Sequence, residues 1–142
     1  MLDGERLAER ADSIGAELRR RLTYALQPYE MVCEVRGAGL MNGIVFDTPR
    51  QLKLQLPFEA FRAIHPGMFG QMLVRRLFHE HHILSQICGN NFMVLKVAPP
   101  LVVTDAHIDR YVDAITSVVE TLHSSTAVWT DALEIGRSAI RI

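Results

Sequence analysis

Apolar residues recur along the chain in two different periods, and the places where the period changes divide it into seven elements. Leu7, Ala11, Ile14, Leu18 and Leu22 form a stripe at helical spacing, opposed by Arg10, Glu17, Arg20 and Arg21. They predict a helix over residues 5–26, which Pro28 ends. Gly15 in mid-helix weakens it by about 1 kcal/mol relative to alanine, or permits a close approach. Two short strands follow, Met31 to Arg36 and Leu40 to Asp47, with Gly37 and Gly39 supplying the backbone freedom of a tight reversal. Between residues 48 and 66, Leu52, Leu54 and Leu56 alternate with polar residues in a strand period that Pro57 interrupts. Phe58, Phe61 and Ile64 then shift towards helical spacing, and the apolar face so formed needs cover.

Gly67 to His82 reads as a helix with Phe69, Met72, Leu73 and Leu77 inward and Arg75, Arg76 and Glu80 outward. Ile83 to Cys88 is a strand, and Gly89-Asn90-Asn91 turns it back antiparallel to a second strand over residues 92–98. Pro99 and Pro100 cannot donate ladder hydrogen bonds and restrict the residues before them, so that strand stops there. Thr104 is a good N-cap, with Asp105 in the first turn where the helix dipole favours an anion. Ile108, Tyr111, Val112, Ile115, Val118, Val119 and Leu122 then form one apolar seam. Each stabilises by roughly 1.5–3 kcal/mol when buried, which makes this seam the strongest core candidate. The last stretch, residues 124–142, predicts a loop and a short helix carrying Trp129, the single tryptophan. The order helix, strand, strand, helix, strand, strand, helix indicates an α+β domain: a mainly antiparallel sheet of about four strands with helices on one face.

Composition narrows the function. At 142 residues the chain is long enough for one domain with its own core, and a net charge of −1 gives no reason to expect nucleic acid or an anionic membrane as partner. The N-terminal stretch MLDGERLAERADS is charged from its third residue, unlike a signal or transit peptide, and no apolar run approaches the roughly 20 residues of a membrane span. The expectation is a soluble, cytoplasmic protein. Cys33 and Cys88 lack metal-ligand spacing and read as buried thiols in a reducing compartment, Cys88 as a small core residue. The Gly37/Gly39 pair precedes no helix and so reads as a hairpin turn rather than a phosphate loop. His79, His81 and His82 read as cations in a last helical turn, not as metal ligands, and Asp109 and Asp113 as solvated surface.

Two stretches carry a family likeness. VLKVAPPLVVTDAHIDRYVDAI resembles the end of class III (ornithine/acetylornithine-like) aminotransferases, which are pyridoxal-phosphate enzymes of fold type I. VCEVRGAGLMNGIVF, residues 32–46, resembles the same family's hairpin VRGxGLMxGI, in the right order and at the right distance. The likeness covers residues 2–122 and concerns the family's small C-terminal domain. It implies a domain over 1–123 with an inserted arm at 48–66, and an extension over 124–142. The arm's apolar face would then be covered by a large domain or a second subunit. MLDGERLAERA resembles a variant of xLLDEGLAERA, so Met1 is expected to lie where a longer helix was cut and the chain to be a fragment.

The resemblance further implies an amine or amino acid and a keto acid as substrates, pyridoxal 5'-phosphate as cofactor, a large cofactor-binding domain as partner and a homodimer. A pyridoxal-phosphate enzyme needs a Schiff-base lysine and an acid for the pyridine nitrogen. The lysines here are Lys53 and Lys96, and neither resembles the family's cofactor lysine, which belongs to the large domain. The chain alone is therefore expected to be inactive, with no catalytic, cofactor-binding or metal residue of its own. Lys96 matches a position that is usually arginine in the family, a fork that grips a carboxylate. A lysine offers a point charge instead, and otherwise lies along the sheet with its ammonium in solvent. Asn91, with Asn90, matches a loop near the substrate entrance and is also an ordinary turn residue. The same fold supports aminomutase, racemase and decarboxylase chemistry, and a non-catalytic protein-binding module is the alternative of another class.

Overall fold

The computed structural model describes residues 6–89, 93–125 and 129. Four helices and four strands follow in the order α1 (Leu7–Leu26), β1 (Val32–Ala38), β2 (Met41–Phe46), α2 (Leu52–Ile64), α3 (Met68–His81), β3 (Gln86–Cys88), β4 (Val94–Val97) and α4 (Asp105–Ser124). The strands form one antiparallel sheet in the order β1-β2-β4-β3, so β1 and β3 are its edges. The α+β class, the four-stranded antiparallel sheet and the helices on one face are all as expected from the sequence.

Register explains the layering. Val35, Ile44, Leu95 and Ile87 lie in one cross-strand row, with Ile44 and Leu95 completely buried. Leu18, Leu22 and Leu26 of α1, Leu73 and Leu77 of α3, and Ile115, Val118, Val119 and Leu122 of α4 complete the same core. Side chains alternate across a strand, so the residues between the buried ones point to the other face, which none of the described helices covers. The Thr104 cap forms as expected: its side chain accepts from the His107 backbone, and the His107 ring returns the bond to the Thr104 N–H.

The helix α1 meets the β1–β2 hairpin at Gly15. A Cβ there would lie 1.8 Å from the Gly39 carbonyl oxygen, so only glycine lets helix and turn touch. Gly39 itself has φ 51° and opens the two-residue loop between the paired Ala38 and Met41, a left-handed position that suits glycine. Arg19 clamps the contact from the helix, donating to the Gly39 carbonyl at 3.0 Å and to Asn42 Oδ1 at 2.7 Å. Asn42, 5 % exposed, is thereby a satisfied buried polar residue.

Two expectations need correction. The first half of segment 48–66 is not strand-like: α2 begins at Leu52 and runs through Pro57. Leu54, Phe58 and Phe61, at i, i+4 and i+7, are its buried face, and the alternation of leucines was a coincidence of that helix with the exposed Leu52 and Leu56. The buried face is also covered within this chain. Phe58 packs on Phe69 at 4.8 Å between ring centroids, and Phe61 meets Trp129 edge-on at 5.3 Å. Trp129 Nε1 donates to the Leu122 carbonyl at 2.8 Å. The rest of the short helix expected after residue 125 lies outside the described residues. The second correction concerns the cysteines, both exposed rather than buried. Cys33 sits at the bulge of one edge strand and Cys88 on the other, where half of each strand's surroundings is solvent.

Candidate functional site

β4 is a run of strand formers with one charge, and its neighbours decide where that charge goes. Leu95 and Val97 are buried beneath the helices, so Lys96 belongs to the helix-free face. It is half-buried there, opposite Gly43 of β2 on one side and Gln86 of β3 on the other. Gly43 in turn pairs with Arg36 of β1. The row across the open face is thus Arg36, Gly43, Lys96, Gln86: two cations with a glycine between them, two strand spacings or about 10 Å apart at the backbone. The next row holds Glu34, Val45, Val94 and Cys88. A side chain at position 43 would begin 2.8 Å from Val94 Cγ1, so the gap between the cations is kept by packing. Glu34 makes a loose pair with Arg36 at 3.6 Å, and Ser85 Oγ donates to the Lys96 carbonyl at 2.8 Å.

Arg36 is the residue that the sequence reading did not single out as a candidate. Its signal was the hairpin register of VRGAGLMNG, which alone decides which strand residues share a face. Asn91 lies outside the described residues. His79 and His81 close α3 and His82 follows it, and no group of three or more metal-capable side chains exists among the described residues. Asp109 is exposed but not idle: with Asp105 it grips Arg21 of α1 at 2.6 Å and 3.1 Å. Arg21 also binds Glu17 at 2.6 Å, and the Arg20 and Arg21 guanidiniums hold the Glu17 carboxyl down at about 2. This network fastens α1 to the start of α4 and has no substrate-facing partner.

A cavity of about 400 Å³ opens where β4 ends, between residues 82–85, the double-proline stretch and the first turns of α4. Tyr111 contributes to its wall, and its hydroxyl is buried with no hydrogen-bond partner among the described residues. That burial pushes the phenol pKa up. The described residues do not make a pyridoxal-phosphate site. Lys53 lies on the exposed surface of α2, and no carboxylate lines the cavity beside Lys96.

A small antiparallel sheet covered on one side by helices is a fold that this chain shares with solved aminotransferase structures. The family comparison agrees: residues 1–119 match the aminotransferase class-III family, and the chain belongs to it. Diaminobutyrate–2-oxoglutarate aminotransferase of Rhizobium meliloti is 34% identical over 130 residues, covering 89% of this chain and 26% of that protein. Aminotransferase PigE of a Serratia species is 28% identical over 146 residues, covering 82% and 17%. Among solved structures, an Arthrobacter phospholyase in complex with phosphoethanolamine superposes with a TM-score of 0.65 at 28% identity, covering 84% of this chain and 26% of that one. The chain therefore spans between about a sixth and a quarter of these relatives' lengths. No helix among the described residues is long and apolar enough to cross a membrane.

Proposed function

We propose that this chain is the small C-terminal domain of a pyridoxal-phosphate-dependent class III aminotransferase, which moves an amino group from an amine or amino acid to a keto acid. The observation that carries the reading is the placement of Lys96. The single cation of β4 stands half-buried on the face that the described helices leave open, in a chain that matches the family across 1–119. In this reading the open face closes over a large domain that holds the cofactor lysine, the phosphate site and the pyridine-pairing acid. Lys96 forms one wall of the substrate site, with Asn91, between β3 and β4 in sequence, as a second contact. A lysine there gives an anionic substrate group one point charge rather than a bidentate grip. The domain alone is inactive, and the complete enzyme is a homodimer by analogy with its family.

The test is the intact mass and visible absorbance of the native gene product. A product roughly three to six times this length, as the 17% and 26% coverage of the relatives implies, and yellow until an amine donor bleaches it, supports the reading. In that product Lys96→Gln should raise KM for the anionic substrate about tenfold, with a smaller change in kcat. Retained KM would remove Lys96 from the site. A second reading keeps the fold and changes the chemistry to mutase, racemase or decarboxylase action. The phospholyase neighbour favours keeping it, since a related structure carries a name other than aminotransferase. Colour without transfer to a keto acid would select it. A colourless native product of this chain's own mass would leave a protein-binding module.

A further inference from the structure

β3 is an edge of the sheet, and nothing among the described residues pairs with its outer side. Such an edge presents backbone N–H and C=O groups to which another extended chain can add. Beside it, a groove of about 580 Å³ lies between one face of α3 and residues 84–87. Neither Lys96 nor any residue of α4 lines it. Its walls describe an occupant. Val74, Phe78 and Leu84 form an apolar stretch, with Phe78 50 % and Leu84 83 % exposed. Arg75, His65 and His79 supply the polar part, and no aspartate or glutamate lines the groove among the described residues. Arg76 is paired with Glu80 at 2.9 Å, whereas its neighbour Arg75 has no ion pair among the described residues. The His65 ring is held at the rim by accepting from the Gly67 N–H at 3.0 Å.

We propose that this groove binds an extended acidic segment of a separate protein, which adds to the outer side of β3 as a further strand. Side chains alternate along such a segment, so every second one enters the groove. One of them is apolar and packs on Phe78 and Leu84. The next is a carboxylate, which meets the unpaired Arg75 in a groove with no acidic group to repel it. Backbone pairing supplies the affinity, and the groove selects the side chains. The inference goes beyond the proposed function and does not depend on it.

Fluorescence anisotropy tests it. The probe is a capped, fluorescein-labelled peptide in which threonine alternates with valine, glutamate and valine, titrated with the native gene product. Saturable binding is expected. Arg75→Glu, at an exposed position, should weaken it about fivefold or more by replacing an exposed ion pair with repulsion. Lys53→Glu, on the exposed surface of α2, is the control and should leave it unchanged. Methylating the peptide's backbone nitrogens should abolish binding without any change to the protein, because the strand then has no N–H to donate to β3. Amide hydrogen exchange over residues 86–88 should slow in the complex. No saturable binding would overturn this proposal and leave the proposed function standing. Equal affinity for the methylated peptide would show that no strand is added, and equal affinity after replacing its glutamate by lysine would show that charge plays no part. Full competition by N-acetylglutamate would assign the groove to a small organic anion. Each of these outcomes overturns the proposal.

Discussion

Leu95 and Lys96 are neighbours in β4, yet one is completely buried in the core and the other stands half-buried on the face that the described helices leave uncovered. The same contrast runs across the sheet. One face carries Val35, Ile44, Leu95 and Ile87, the other Arg36, Gly43, Lys96 and Gln86. The first set resembles the inside of any small protein. The second has charge and a gap where a fold seeking only stability would have placed valines. The difference separates two tasks: the helical side holds the domain together, and the open side is left free to meet something else.

That division can be broken by mutation. Leu95→Ala should cost about 2–5 kcal/mol in urea unfolding, while Lys96→Gln, one residue on, should change it by less than about 0.5 kcal/mol. A comparable loss from both would mean that the open face also supports the fold. Gly15→Ala is the next largest. Its methyl would meet a backbone oxygen that cannot swing away, and overpacking of that kind costs about 1–3 kcal/mol despite alanine's better helix propensity. A neutral outcome would show that α1 can lift off the hairpin. Thr104→Ala should cost about 1 kcal/mol by uncapping α4, measured as a shift in the thermal midpoint.

The smallest effect is a pH dependence. The Glu17 carboxyl titrates at about 2 in the folded chain against an ordinary 4.5, because Arg20 and then Arg21 bond to its charged form. A lowered carboxyl pKa contributes stability above the ordinary value and loses it as pH falls towards the folded one. The wild-type chain should therefore lose stability between about 4.5 and about 2 in excess of Glu17→Gln. The excess is small, since the pair is open to solvent. Identical acid curves would show that the network between α1 and α4 is ornamental.

The elements that sequence made legible are those whose period is decided locally. The α1 stripe, the α4 seam with its Thr104 cap, and the glycine hairpin each needed only a few neighbouring residues to be read. Segment 48–66 was misread because its first three leucines fit a strand period and its proline suggested a break. What decides it is the aromatic cluster of Phe58, Phe61, Phe69 and Trp129, assembled from positions far apart in the chain. Asp109 failed to declare its role for a similar reason, its partner Arg21 being 88 positions away. For the candidate site, the family motif pointed to Lys96, whereas Arg36 became visible only once the pairing register was known. The cysteines were misjudged because an apolar flank does not reveal that a strand is at the edge.

Those two thiols have a practical consequence. Cys33 and Cys88 stand on opposite margins of the sheet, separated by two interior strands, so they cannot close on each other within one molecule. Each molecule is in effect a monomer with two reactive ends. Under oxidising storage such a unit links on both sides and grows into linear chains, whereas removal of either thiol caps growth at pairs.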